Sequence, residues 1–171
     1  AGFLATVPES EIKLLRNGIF LDMLGNNQKL AYQSSYQGDS LLDRVVQNVF
    51  THCYSDSQVN DTKHPYRHLV GNDEMFYNGP VYLIPTIGIA GEIHPEYHFD
   101  RDDLDVLDLD QLTMSLEVLL KLIEVMETDF VPVPLYRGPL YLSRYGLYVD
   151  GKLDRQGYDN IEHIQILMDG E

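Results

Sequence analysis

Two histidines and five carboxylates fall in the twelve residues from His94 to Asp105. Imidazole nitrogens and carboxylate oxygens are donors that zinc takes, and a carboxylate beside a ligating imidazole fixes its ring. Dense charge is also the ordinary mark of a solvated acidic loop, and the residue types alone leave both readings open. A calcium loop of the EF-hand type does not fit the run from Asp100, which lacks the central glycine and has Gln111 where the bidentate glutamate belongs. Asp22 ends the apolar run Gly18-Ile19-Phe20-Leu21, where a carboxylate is costly unless it is paired, metal-bound or held by backbone N–H groups. Asp73 and Glu74 open a turn, with Glu74 placed to face a helix N-terminus. His64 and His68 have the i, i+4 spacing that binds metal on a helix, but Pro65 breaks that helix and both read as surface histidines. His94, before Pro95, reads as loop surface.

The elements that must position these residues follow from periodicity. Pro80 to Ala90 is an almost unbroken apolar run and reads as a central parallel strand covered on both faces. Gly18 to Met23 reads as a second buried strand with Asp22 near its carboxyl end, and Leu30 to Ser34 as a third. A strand, the polar loop and then a helix put the loop at the carboxyl edge of an α/β sheet, where ligand sites of such sheets lie. The helix is expected over 109–126, with Asp108 as cap and Gln111 completing a capping box. Leu112, Leu116, Leu119, Ile123 and Met126 form its expected core stripe, widened by Leu120 and Leu122. Asp39-Ser40 caps a helix reaching Cys53, itself expected as a packed helix residue. A short strand is expected over 64–70, and a turn or short helix from Gly71 to Asn78. Residues 1–7 read as a short strand and 10–16 as a helical turn capped by Ser10. Beyond Pro132 and Pro134, residues 135–149 read as short strands, and 158–168 as a helix.

Length and composition bound the rest. A chain of 171 residues with 44% hydrophobic residues suits one globular domain. A net charge of −15 disfavours nucleic acid and anionic membranes, so neither is expected as a partner. One cysteine excludes an internal disulfide and suits a reducing compartment. No apolar run reaches membrane-spanning length, and no signal peptide is seen, so a cytoplasmic location is expected.

Three segments together resemble the zinc aminopeptidase superfamily that also contains glutaminyl cyclase. The resemblance is greatest to its branch with a C-terminal winged helix, whose genes lie in bacterial surface-polysaccharide clusters. Phe20-Leu21-Asp22-Met23-Leu24-Gly25 looks like the family's strand ending in Asp-Met-x-Gly. Gly71-Asn72-Asp73-Glu74-Met75-Phe76-Tyr77 looks like its Gly-Ser-Asp-Glu-x-x-Tyr. Pro95-Glu96-Tyr97-His98-Phe99-Asp100-Arg101-Asp102 looks like its Pro-Glu-Tyr-His-Thr-x-x-Asp. Leu142 to Tyr148 resembles the segment before the winged helix.

The resemblance implies an α/β fold: part of the three-layer sheet of the zinc-aminopeptidase (phosphorylase/hydrolase-like) type over residues 1–130. A small β-rich segment over 131–157 and the first helix of a winged helix over 158–171 would follow. It implies a two-zinc hydrolase acting on a small amide or a peptide N-terminus. Asp22 and His98 would be metal ligands, one to each zinc. Asp73, Glu74, Tyr97 and Asp102 would lie around the metals or on the substrate side, with Asp102 oriented toward the loop or His98.

The sequence departs from the family pattern in ways that matter. No histidine precedes His52, and no adjacent glutamates precede Asp22, so the family's first zinc histidine, bridging aspartate and general base have no counterpart here. Phe99 replaces a hydroxyl residue. The expectation is therefore the C-terminal half of a catalytic domain, without a catalytic residue of its own. The absent half or a second copy of the chain would cover its sheet edge. A binding module that keeps the fold without the metals, and an acyl-transfer enzyme of the same fold acting on a sugar or peptide amide, are the other classes.

Overall fold

Gly18 to Asp22 and Thr86 to Gly91 run parallel, and Leu30 to Gln33 runs antiparallel to the second of them. These strands, β1 (Gly18–Asp22), β2 (Leu30–Gln33) and β3 (Thr86–Gly91), form a mixed sheet of order β1-β3-β2. The computed structural model describes residues 2–129 and 140–168. The chain divides into two compact units between Glu127 and Thr128.

In the first unit, β3 is central and buried along its whole length, because both faces are covered. On one face Ile87 and Ile89 join Leu30 and Tyr32 of β2 and pack under two helices. These are α3 (Leu41–Cys53), through Leu42, Val45, Val46, Val49 and Phe50, and α5 (Leu109–Thr128), through Val118 and Leu122. The opposite face carries α4 (Glu74–Asn78), the short helix beside β1 and β3. Gly88 is required there, since a Cβ would stand 2.6 Å from Val70 and 2.9 Å from Gln33.

Local chemistry explains the ends of the helices. Ser40 caps α3, and Asp43 returns the bond to the Ser40 backbone, a reciprocal capping box. Asp108 accepts from the amides of Asp110 and Gln111 at the start of α5. Gln111 does not complete a box, and its buried Nε2 has no hydrogen-bond partner among the described residues.

Several expectations are corrected. The N-terminus is helical, as α1 (Gly2–Thr6) and α2 (Glu9–Ile12), and Pro8 rather than Ser10 stands at the cap of α2. β3 begins only at Thr86: Gly79 and Pro80 turn the chain, Tyr82 and Leu83 bond back to the Gly79 carbonyl, and Leu83 has φ 50°. The central strand has one parallel and one antiparallel neighbour. β1 is half-buried rather than buried, and Leu21 is 42% exposed, because no strand flanks its outer side among the described residues. Residues 64–70 form a turn after one bridge from His64 to Gln33, as Pro65 dictates. Cys53 is exposed on the last turn of α3.

The largest correction concerns α5. Leu112, Leu116, Leu120 and Ile123 of the expected stripe are 44, 55, 56 and 52% exposed, and of its members only Leu122 is fully buried, beside Ser115 and Val118. Leu119 and Met126 lie between the two faces, partly buried against the core. The helix carries leucine around most of its circumference, so spacing alone could not select the buried side.

In the second unit, the described residues form a 3-10 turn at Leu142–Tyr145, closed by Gly146 at φ 69°, and helix α6 (Arg155–Met168). No strand occurs among residues 140–157; residues 130–139 of the expected β-rich segment lie outside the described residues. Gly146 and the turn at 151–153 interrupt any extended run. The helix expected from residue 158 starts at Arg155, where Asp154 accepts from the Gly157 amide. No described helix is long and apolar enough to cross a membrane.

Candidate functional site

Because β1 and β3 are parallel, their carboxyl ends lie at the same edge of the sheet. Asp22 is the last residue of β1, opposite Ala90, and β3 runs on through Gly91 into the acidic loop. Two amides and a serine tie the loop to the segment after Asp22. Asn26, 6% exposed, donates through Nδ2 to the Glu92 carbonyl at 2.8 Å. The Asp108 amide donates to the Gly25 carbonyl at 2.8 Å. Ser115 Oγ donates to the Leu24 carbonyl at 2.7 Å. Both ends of residues 92–108 are thus fastened to one turn, which brings the Asp22 strand end and the acidic loop together. Gly91 permits this closeness, since a Cβ there would collide with Asn26 and the Met23 carbonyl.

Asp22 is half-buried, and its Oδ2 accepts from Asn72 Nδ2 at 3.3 Å. The Asn72 backbone N–H donates to Glu74 Oε2 at 2.9 Å, and Glu74 Oε1 accepts from Gln33 Nε2 at 3.4 Å. Gln33 Oε1 accepts from the amides of Leu69 and Val70, both at 3.0 Å. A continuous polar chain therefore runs from the buried face of β2 to Asp22. Glu74 is 1% exposed and belongs to the interior. Asp73 is exposed, and with Glu74 and Tyr77 it lines a cavity of about 380 Å³ beside Gly18 and Phe20 of β1. Burial first, and then the Glu74 charge, pushes the Tyr66 phenol above its ordinary range.

The loop itself is a series of turns. The amides of Tyr97, Phe99 and Asp102 donate to the carbonyls of His94, Glu96 and Phe99. His98 is exposed, at φ 63°, with its ring stacked on Tyr97 at 3.8 Å between centroids. His94 is not loop surface: it is 5% exposed, because the loop folds over it. Its Nδ1 lies 3.5 Å from Glu96 Oε2 and its Nε2 lies 3.6 Å from Asp102 Oδ1. Asp102 thus faces His94. A cavity of about 420 Å³ opens between the turn at Asn26–Gln28 and Glu96, Arg101, Asp103 and Asp105.

Asp22 and His98 are donors of the kind zinc takes, but their number falls short. Among the described residues no group of three or more His, Cys, Asp and Glu side chains is placed to share an ion. Sequence reasoning missed Asn26 and Gln33, uncharged amides that give no periodic or motif signal, gave Asn72 no role although it stands inside a quoted motif, and misjudged His94.

The arrangement is that of an α/β domain with a polar site at the carboxyl edge of its sheet. The family model for a domain of unknown function, DUF4910, matches residues 3–129, and the chain belongs to that family. It is 25% identical over 123 residues to a Clostridium acetobutylicum protein provisionally named a polysaccharide biosynthesis protein with an aminopeptidase-like domain. That match covers 71% of this chain and 27% of the relative, so the chain spans about a quarter of the relative's length. In fold it is similar to the 2.37 Å crystal structure of a protein from the same organism, provisionally named a peptidase. The TM-score is 0.68 at 22% identity, covering 80% of this chain and 32% of the other.

Proposed function

We propose that this chain is part of the catalytic domain of an aminopeptidase-like hydrolase, in which Asp22 and His98 each contribute to a different zinc. The supporting observation is that β1 and β3 end at one edge of the sheet, with Asp22 on the first end and the His98 loop following the second. The names of the two clostridial proteins point to peptidase-like chemistry. A zinc pair, when bound, supplies an activated water and a polarised carbonyl. The remaining ligands and the general base are proposed to lie outside residues 1–171, and no catalytic step is assigned to this chain alone. Its residues orient groups: Asn72 holds the Asp22 carboxylate, Glu74 holds the Asn72 backbone, and Tyr97 supports the His98 ring. The proposed substrate is a small amide or a peptide N-terminus, in a cytoplasmic bacterial setting linked to polysaccharide synthesis. The open flank of β1 and the exposed leucines of α5 are proposed to be covered by the rest of the domain or by a second copy of the chain.

The test uses the natural gene product, assayed on amino-acid anilides with zinc measured by elemental analysis. Asp22→Ala and His98→Ala are each expected to lower turnover by about 100-fold or more and to lose bound zinc. Unchanged turnover and zinc in both variants would refute the reading. Robust turnover by the 171-residue chain, abolished by His98→Ala, would show instead that its site is complete. A second reading, a binding module of the same fold, is favoured by the missing third donor among the described residues. Product analysis separates hydrolysis from acyl transfer.

A further inference from the structure

His94 is the most deeply buried ionisable side chain of the acidic loop, at 5% exposed. Its two nitrogens face carboxylates from opposite ends of one segment. Glu96 lies two residues on, with Oε2 3.5 Å from Nδ1, and Asp102 lies eight residues on, with Oδ1 3.6 Å from Nε2. Both separations are longer than hydrogen bonds, and Nδ1 has no hydrogen-bond partner among the described residues. The buried imidazole therefore lies between the two carboxylates without a hydrogen bond to either. His98 lies between Glu96 and Asp102 in the chain. Tyr97 links the two histidines: its ring stands edge-on to His94, 6.0 Å between centroids at 79°, and lies flat on His98, 3.8 Å at 21°. His98 takes φ 63°, a backbone state that a residue with a β-carbon holds only where its surroundings impose it.

We propose that His94 is a positioning residue: buried between Glu96 and Asp102 and seating Tyr97 edge-on, it packs residues 94–102 together and fixes the direction in which His98 is presented. The role of the presented His98 rests on the functional reading above; the positioning of its ring does not.

The test separates the two. His94→Leu fills the site but places no polar atom between the carboxylates and no ring against Tyr97, and His94→Gln retains a polar end beside them. In the 171-residue chain, the ring protons of His98 should be shifted upfield by the Tyr97 face, as read by nuclear magnetic resonance. That shift, with the Tyr97–His98 ring cross-peaks, should be lost in His94→Leu and at least half restored in His94→Gln. Circular dichroism and thermal melting confirm that both variants are folded; should His94→Leu fail to fold, His94→Gln and the double variant Glu96→Gln/Asp102→Asn carry the comparison, and both should weaken the shift. In the natural gene product, His94→Leu should lower kcat by about 10-fold with KM little changed, the size expected for a residue that orients a ligand. A His98 ring shift that survives all of these variants overturns the proposal. A shift that is lost while turnover stays intact supports the positioning of the ring and refutes the functional role of His98 instead.

Discussion

Asn72 Nδ2 donates to Asp22 Oδ2 at 3.3 Å, joining residues 50 positions apart. The bond is exposed and weak by itself, but its donor sits on a backbone amide that Glu74 holds from the interior. Glu74→Ala would leave the Gln33 amide nitrogen, the Asn72 amide and a buried space without a partner. It should cost about 2–3 kcal/mol. Asn72→Ala removes only the exposed end and should cost less than about 1 kcal/mol. Urea denaturation measures both; equal losses would show that the chain of bonds is not anchored at Glu74.

Asp43 offers a second buried carboxylate with a purely structural task. It is 1% exposed and accepts from Ser35 N and Oγ at 2.7 and 2.6 Å and from Ser40 N and Oγ at 3.0 and 2.6 Å. It thus fastens the exit from β2 to the first turn of α3. Asp43→Ala should cost about 3 kcal/mol, against about 1 kcal/mol for Ser40→Ala, which removes only the cap. If the two substitutions lower the urea midpoint equally, the Ser35 bonds contribute nothing.

What could be read from the sequence follows what leaves a local pattern. The start of α3 was legible because a cap residue precedes apolar residues at helical spacing. The order of elements around the acidic loop was legible for the same reason. The apolar run from Val81 to Ile84 misled, since apolar content fixes neither extension nor burial: the segment turns back on Gly79 and leaves Val81 82% and Leu83 49% exposed. Burial of His94 was illegible because it depends on the loop folding back on itself. Asn26, Gln33 and Asn72 act across 66, 41 and 50 residues of separation, distances at which a single sequence carries no signal.

The two sides of α5 should respond differently to substitution. Leu122 is fully buried against α3 and the sheet, and Leu122→Ala should cost about 3 kcal/mol through the cavity it leaves. Leu116 is 55% exposed, and Leu116→Ala should cost less than about 1 kcal/mol. The exposed side is continuous from Leu109 through Leu112, Leu116, Leu120 and Ile123, and stripes of this kind are ordinarily covered by a partner. The chain by itself should therefore associate with rising concentration in sedimentation velocity. The variant Leu116→Glu/Leu120→Glu should sediment as a monomer with its helix content unchanged. Persistent association of that variant would place the contact elsewhere.

Tyr32 sets a limit on stability in alkali. Burial first, then the charges of Asp61 and Asp43, pushes its phenol from 10.0 up to about 12. Below about pH 10 the folded and unfolded chains both keep the proton, and stability does not depend on this group. As pH rises from about 10 to about 12 the unfolded chain releases the proton and the folded chain does not, so the unfolded state gains and stability falls. Above about 12 both are ionised and the loss stops, having reached about 2–3 kcal/mol. Tyr32→Phe cannot ionise and escapes this loss, giving up only a long hydrogen bond of 3.4 Å to the Asp61 carbonyl. Urea unfolding at about pH 9 and about pH 11.5 should show wild type losing about 2 kcal/mol more than Tyr32→Phe between the two conditions, other ionisations being common to both. Equal losses in the two proteins would mean that the buried phenol does not hold its proton through that range.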